Sequence, residues 1–362
     1  MLPAVELTKE LVRIPSVLGS ETEIANFIYR KLAPYSSKIY LQEIGDGRKN
    51  VIAFGKKTGK GPVLLNAHMD TVEVMQNWSQ QPFGGFEIDG KIYGLGACDM
   101  KAGLGIFIQL FAEFSEKIPL VFTACADEEG ESLGAYQLIG HLKEIGCTPE
   151  IVLISEPTGE KVMLGARGRV VFEIEVFGKA AHGARPNLGV NAISDCARIV
   201  ELFEGLGVGS HEKLGSGSYC VLKISGGASS LSVPDNCKLI VDRHYVVGEN
   251  PEEVRAEVVQ KIQPLGLKSR VEVGFVKRKV PFLKPYITEE KGAVKQFLEI
   301  AGGDVIYGQS VGDFNLFGEI WPTVVYGPSG MNWHSGDEFV WCDSIERVFG
   351  KYKEFLLKLP KS

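Results

Sequence analysis

Two side chains that could share one metal ion follow the first strongly apolar run of this chain. Residues 63–65 are apolar and typical of a buried strand, and His68 and Asp70 come soon after them. Residues two positions apart lie on the same face of a strand, so both side chains can reach one site. A metal-binding histidine usually has its second ring nitrogen held by a carboxylate or a carbonyl group, and Asp70 is suitably spaced to orient His68 in this way.

Further acidic and imidazole residues occur where successive predicted core strands end. They are Asp99, Glu128, Glu129, Glu156 and, near the C-terminus, His334. In an open α/β sheet, sites form at the carboxyl ends of strands, so we expect these side chains to converge. Five residues would make two metal sites if one carboxylate bridges two ions: His68, Asp99, Glu129, Glu156 and His334.

The types of these side chains indicate which metal they would bind. Imidazole and carboxylate ligands without thiolate suit zinc, with cobalt or manganese as substitutes. Packing this many carboxylates together without a cation would be unfavourable, because like charges at short range disfavour ionisation. We therefore predict two Zn²⁺ ions as cofactors, with Co²⁺ or Mn²⁺ as alternatives.

Strands and helices alternate in the first part of the chain, which predicts an α/β fold with a mostly parallel sheet and helices on both faces. Residues 76–92 show no clear period. Residues 169–177 alternate between apolar and polar, and the order that follows, β-α-β-β-α-β, is ferredoxin-like. We predict a catalytic domain formed by 1–167 and 281–362, and an inserted α+β lid or dimerisation domain at 168–280.

Composition and charge restrict the partners and the compartment. The 362-residue chain has a net charge of -6 and no basic stripe, which argues against a nucleic-acid partner. No apolar run is long enough to cross a membrane, and the N-terminus lacks the pattern of a signal peptide. The 7 cysteines show no C-x-x-C spacing and suit free thiols in a reducing compartment. These features predict a cytoplasmic protein.

Six motifs occur in the order and at the separations of a known family. Over essentially its whole chain, the sequence resembles the zinc-dependent aminoacylase and carboxypeptidase superfamily, which includes acetylornithine deacetylase, succinyl-diaminopimelate desuccinylase and glutamate carboxypeptidase. The motifs are His-Met-Asp-Thr-Val at 68–72, Gly-Ala-Cys-Asp-Met-Lys-Ala-Gly at 96–103, Asp-Glu-Glu-Gly at 127–130, Glu-Pro-Thr at 156–158, Ala-His-Gly-Ala-Arg-Pro at 181–186 and the late His334.

The resemblance implies how the metal ligands are shared. His68 and Glu156 would bind one zinc ion, and Glu129 and His334 would bind the other. Asp99 would bridge the two ions. A mononuclear hydrolase is the alternative, and it would leave either His68 or His334 unused.

The resemblance also implies roles for residues that do not bind metal. Glu128 would be the general base, and Asp70 would orient the first histidine. His182 would reach the active site of the partner subunit, which implies a homodimer through the inserted domain. Arg243 would bind the α-carboxylate of the substrate by a bidentate pair, and Asn236 is a second candidate for this contact.

The predicted reaction is hydrolysis of the amide bond of an N-acyl amino acid by a zinc-bound water, with Glu128 as base. A biosynthetic deacylase acting on acetylornithine, acetyl-lysine or succinyl-diaminopimelate is favoured. The alternative is a di- or tripeptidase or a glutamate carboxypeptidase with the same dinuclear site. A non-catalytic binding protein should lack a ligand or the base, and none is missing. Gly312 stands before Asp313 where the resembling family more often has Ser or Thr, which leaves the role of a hydroxyl there open.

Overall fold

The computed structural model describes residues 2–228 and 230–359. The chain forms two compact units. Unit 1 comprises the residues up to Gly165, residues 287–307 and the residues from Gly312 onward, and unit 2 comprises Ala166–Tyr286 with Gly308–Val311.

The β-strands are as follows: β1 (Ser36–Gly45), β2 (Arg48–Gly55), β3 (Val63–His68), β4 (Phe86–Ile88), β5 (Lys91–Tyr93), β6 (Leu120–Cys125), β7 (Ile151–Ile154), β8 (Val162–Ala166), β9 (Gly168–Phe177), β10 (Ser210–His211), β11 (Gly215–Ser216), β12 (Ser218–Gly226), β13 (Asn236–Tyr245), β14 (Arg270–Phe275), β15 (Tyr286–Ile287), β16 (Val305–Gly308), β17 (Thr323–Val325), β18 (Gly330–Met331) and β19 (Phe339–Trp341). The α-helices are α1 (Ala4–Val12), α2 (Thr22–Leu32), α3 (Ala102–Phe114), α4 (Leu133–Glu144), α5 (Ala192–Glu204), α6 (Pro251–Ile262), α7 (Gly292–Ala301), α8 (Asp313–Gly318) and α9 (Cys342–Lys358). Within the described ranges, none of these helices combines the length and the apolar character needed to span a membrane.

A nine-stranded sheet forms the centre of unit 1, in the order β1-β2-β6-β3-β7-β17-β8-β15, with β16 paired to β8. The four strands β6, β3, β7 and β17 run parallel to one another. Strands β3, β6 and β7 are buried at every position, as strands covered on both faces must be. The predicted α/β fold is confirmed, and the parallel part of the sheet is its centre.

Antiparallel strands flank this parallel centre. Strands β1 and β2 form a hairpin whose turn is Asp46-Gly47. Both turn residues have positive φ values, 55° and 75°, as a two-residue hairpin turn of the I′ type requires. Strand β17 pairs antiparallel with β8 on the other side.

Helices cover the central sheet in two groups. Helix α3 is apolar on almost every side and contacts β3 and β6, while α1 and α9 pack on its outer surface. Helix α4 contacts β1, β2 and β6, and it also contacts α8. The predicted cover of helices on both faces is thus present, and α3 begins directly after the loop that carries Asp99.

A second, small sheet of unit 1 has the order β18-β19-β5-β4 and is antiparallel throughout. Within this sheet, β5 pairs with β19, and this pairing joins the segment before Asp99 to the segment that follows His334. Strand β4 and all but the last residue of β5 lie within residues 76–92, where the sequence shows no period. They were missed because strands of three residues are too short to display one.

Unit 2 contains a four-stranded antiparallel sheet in the order β12-β13-β9-β14. Helices α5 and α6 pack against it, and the core between them is apolar. Strand β9 alternates between buried and partly exposed residues along its whole length, as the sequence predicts. The order β9-α5-β12-β13-α6-β14 is the predicted β-α-β-β-α-β order, with the short hairpin β10-β11 added.

Candidate metal centre

Three of the five candidate ligands lie at the carboxyl ends of parallel strands, whereas the expectation that Asp99 and His334 also follow core strands is wrong, because Asp99 lies in the turn before α3 and His334 follows the short strand β18 of the small sheet. His68 is the last residue of β3, Glu128 and Glu129 follow β6, and Glu156 follows β7. Because β3 lies between β6 and β7, these side chains meet at one edge of the sheet. Asp99 reaches the same edge from the irregular turn before α3.

Two groups of ligand atoms share the carboxylate of Asp99. In the first group, the Nε2 of His68 lies 3.2 Å from Asp99 Oδ1 and 3.8 Å from Glu156 Oε1. In the second group, the Nε2 of His334 lies 3.0 Å from Glu129 Oε1 and 3.6 Å from Asp99 Oδ2. Each group offers three ligand atoms within 4.8 Å of one another. Since Asp99 turns a different oxygen to each group, the arrangement suits a carboxylate that bridges two ions.

A third combination meets the same distance criterion. It joins His68 to both Glu128 and Glu129. Geometry alone therefore allows either of these adjacent carboxylates to be a ligand. The pairing of Glu129 with His334 distinguishes the two, because Glu128 belongs to no group that contains the second histidine.

Asp70 contacts His68 through its backbone carbonyl group, which is one of the two kinds of contact that the sequence analysis allows. The Nδ1 of His68 lies 2.9 Å from the backbone oxygen of Asp70, whereas the nearest carboxylate oxygen is 3.8 Å away. The chain turns back after β3, so the carbonyl two residues on meets the ring. The carboxylate instead accepts hydrogen bonds from the backbone N–H groups of Glu128 (3.2 Å) and Glu129 (3.0 Å). Asp70 thus holds both the imidazole and the turn after β6.

Two carboxylates that the sequence analysis missed hold the loops of the centre. Asp127 has a φ of 75°, accepts hydrogen bonds from the N–H groups of Glu131 (3.1 Å) and Leu133 (3.0 Å), and pairs with Arg48 at 2.6 Å. Glu338 accepts hydrogen bonds from three N–H groups of the turn that carries Asp99. Asp127 precedes Glu128 directly and Glu338 follows His334 by four residues, and this closeness in sequence is the signal that could have indicated them.

Buried carboxylates crowd the centre, and their charges shift the pKa values of its side chains. Burial and the charges of neighbouring carboxylates, reduced in part by His68, raise the pKa of Glu128 and that of Glu156 well above the ordinary value. Burial opposes protonation of His68, but Glu156, Asp99 and other carboxylates outweigh it and raise the pKa of the imidazole. Divalent cations would remove this repulsion and keep the carboxylates ionised. The donor set of two imidazoles and three carboxylates fits two such ions.

The three predicted site residues of unit 2 are not gathered into one cluster there. His182 is exposed, and its Nδ1 accepts a hydrogen bond from the N–H of Ala184 at 3.1 Å. Asn236 is exposed at the first position of β13. Arg243 is 1% exposed, and its guanidinium pairs with Glu249 and lies over an aromatic ring. The side chain predicted to bind a substrate carboxylate therefore already has an anionic partner, Glu249.

Comparison with known proteins agrees with the geometry. The model of Peptidase family M20/M25/M40 matches residues 64–358, which include every candidate ligand. This chain belongs to that family. The resemblance drawn from the motifs is confirmed, and as an M20 member the protein is a metallohydrolase.

Named relatives of this M20 chain include both deacylases and peptidases. It is 25% identical over 375 residues to succinyl-diaminopimelate desuccinylase of a Nitratiruptor species, with 98% of this chain and 99% of that protein covered. It is 25% identical over 380 residues to acetylornithine deacetylase of Buchnera aphidicola subsp. Schizaphis graminum, with 99% and 97% covered. A solved tripeptidase of Staphylococcus aureus has the same fold, with a TM-score of 0.78, 21% identity and coverage of 98% of this chain and 96% of that one.

Proposed function

We propose that this M20 hydrolase cleaves the amide bond of an N-acyl amino acid with two zinc ions. The observation that carries the proposal is the carboxylate of Asp99, which offers one oxygen to each of two ligand groups. His68 and Glu156 would complete one site, and Glu129 and His334 the other. When bound, the ions would supply an acidified water and would polarise the amide carbonyl.

Glu128 is the proposed general base. Its backbone N–H is held by Asp70, and its side chain belongs to the carboxylate cluster without contacting His334. With cations bound, its carboxylate would stay ionised beside the two ligand groups and could take a proton from a metal-bound water. The same group would then return the proton to the leaving amine. Gly312 leaves room for the Glu128 side chain, because a Cβ at position 312 would lie 2.6 Å from Glu128 Oε1.

Three of the unit 1 segments that carry the site favour a neutral acyl group, and Lys101 in the Asp99 segment is buried with its Nζ donating to the carbonyl oxygen of Ile14 at 2.8 Å. Residues 69–90, 127–135 and 327–341 contain no Lys or Arg. On these segments a succinyl carboxylate would lack a cationic partner, whereas an acetyl group needs none. Exposed apolar side chains also occur there, among them Met75 (44%) and Trp333 (47%). We therefore rank acetylated amino acids above succinyl-diaminopimelate as substrates.

A homodimer through unit 2 is also part of the proposal. Strand β12 lies at the edge of the unit 2 sheet, and Leu222 (53%) and Ile224 (52%) on it are exposed. An exposed apolar edge strand is a ready template for pairing with a second chain. The proposed role of His182 in the partner's active site depends on this dimer. The free state of all seven cysteines supports the proposed cytoplasmic location.

A hydrolysis screen tests the proposed function. The zinc-loaded protein and a chelator-treated sample would be given acetylornithine, acetyl-lysine, an acetylated apolar amino acid, succinyl-diaminopimelate and several dipeptides. We expect amine release from an acetylated amino acid that stops when zinc is removed and returns when it is restored. Cleavage of dipeptides alone would move the protein to the peptidases of the family, and zinc-independent or absent turnover on every substrate would contradict the proposal.

A further inference from the structure

Glu338 is a buried carboxylate that has no part in the proposed reaction. It is 1% exposed and follows His334 by four residues. Its Oε2 accepts a hydrogen bond from the N–H of Gly96 at 2.7 Å. Its Oε1 accepts hydrogen bonds from the N–H groups of Cys98 at 2.8 Å and Asp99 at 3.0 Å. One side chain thus satisfies three backbone donors of the turn that carries the shared ligand.

These donors lack partners within their own segment because the backbone there is irregular. Gly96 has a φ of 74°, and Asp99 has φ and ψ values of -114° and 93°, which no helix contains. Buried N–H groups that leave regular structure must find another acceptor. A carboxylate is the strongest acceptor available, since hydrogen bonds to an ionised group are shorter and stronger than neutral ones.

The backbone around Glu338 strengthens the same connection. Its carbonyl oxygen accepts a hydrogen bond from the N–H of Gly94 at 3.0 Å. The next residue, Phe339, pairs with Tyr93 in the small sheet. The segment that carries Asp99 and the segment that carries His334 are therefore joined by both main-chain and side-chain contacts at this one position.

We propose that Glu338 is a positioning residue that sets the spacing between Asp99 and His334, and thereby the affinity of the second metal site. Of the two ligand groups, only the one formed by Asp99, Glu129 and His334 draws on both of the segments that Glu338 joins. Loss of the contact should therefore weaken this site more than the site formed with His68. The inference rests on the proposed dinuclear centre, but it concerns metal binding and not the substrate.

Calorimetric titration of the metal-free protein with Zn²⁺ tests this inference. The variants are Glu338→Gln, which loses the charge and one acceptor, and Glu338→Asp, which keeps the charge but shortens the side chain. We expect both to lose about 10–100-fold in affinity for one ion while the other changes by a few-fold, as for other groups that orient ligands. The matched control is Asp337→Asn, because Asp337 accepts hydrogen bonds from Ser79 (2.7 Å) and Gln80 (3.3 Å) and from no residue of the Asp99 turn.

Three results would overturn the inference. Wild-type affinity for both ions in Glu338→Gln would show that the contact has no effect. Wild-type affinity in Glu338→Asp alone would assign the effect to charge and not to position. An equal loss of metal affinity in Asp337→Asn would show that any change in this loop weakens metal binding, and not the loss of the Glu338 contact in particular.

A measurement without substitutions covers the case in which neither Glu338 variant folds. Amide exchange of the wild-type protein should show slow exchange at Cys98 and Asp99, and fast exchange there would contradict the contacts. The substrate screen separates this inference from the proposed function. Two bound ions with the expected loss but no hydrolysis would refute the function alone, and hydrolysis with unchanged metal binding in Glu338→Gln would refute the inference alone.

Discussion

Replacing Glu128 by Gln separates the proposed base from the adjacent ligand. Gln has nearly the same size, and the backbone N–H that Asp70 holds at 3.2 Å is unchanged, so the turn after β6 should keep its shape. The variant removes proton transfer, which contributes about 10²–10⁴-fold to turnover. This range corresponds to about 3–5 kcal/mol of activation free energy. Burial already disfavours the ionised form of Glu128 by raising its pKa, so the neutral amide should not make the metal-free protein less stable.

The matched control is Glu129→Gln, the same substitution one residue further on. The Oε1 of Glu129 lies 3.0 Å from the Nε2 of His334, so we expect this variant to lose affinity for one ion. Both variants would be assayed for kcat and KM at saturating zinc and for metal content after dialysis. Glu128→Gln should hold two ions with a kcat reduced at least about a hundredfold. If it keeps turnover, or if it loses an ion while Glu129→Gln retains both, the assignment of base and ligand is refuted.

Three further predictions concern the space beside Glu128, the pH dependence of stability and the dimer. Gly312→Ala should lower kcat and leave the metal content unchanged, because the new Cβ would lie 2.6 Å from Glu128 Oε1; wild-type turnover would show that the base does not need this space. Mainly through burial, the pKa of Asp70 is raised from 3.8 to about 6. Its carboxyl group thus holds a proton in the folded metal-free protein at pH values where the unfolded chain has lost it, so the free energy of unfolding should fall as the pH rises from about 4 to about 6, whereas the gain in Tm on adding zinc should grow; a constant gain would contradict this sign. Ile224→Lys on the edge strand β12 should give monomers in analytical ultracentrifugation if the dimer pairs there, and unchanged sedimentation would place the interface elsewhere.

Those parts of the centre that lie directly after long apolar strands could be predicted from the sequence. His68 ends strand β3 and Glu156 follows strand β7, both strands are buried at every position, and the carboxyl ends of neighbouring parallel strands meet at one edge. The approach of these two residues therefore follows from strand assignment alone. The ferredoxin-like order of unit 2 could be predicted for a similar reason, because β9 alternates over ten residues.

The contacts that depend on side-chain direction could not be predicted in this way. The sequence indicates that Asp70 can reach His68, but which oxygen does so depends on how the chain turns after β3. In the same way, Arg243 lies on the expected strand, yet its pairing with Glu249 depends on a loop several residues away. Spacing along the chain determines which residues can meet, whereas the path of the backbone determines which atoms do.

The turn that carries Asp99 shows why the shared ligand was hardest to predict. Asp99 and Met100 have φ values of -114° and -129°, and regular helix begins only at Ala102. A regular helix would point the carboxylate along one fixed direction and would satisfy its own N–H groups. The irregular turn does neither, so its donors need the carboxylate of Glu338, which lies 239 residues away along the chain. The irregular backbone of this turn places one Asp99 oxygen near each histidine. The same irregular backbone makes the turn depend on Glu338, and no local pattern in the sequence indicates a contact between residues so far apart.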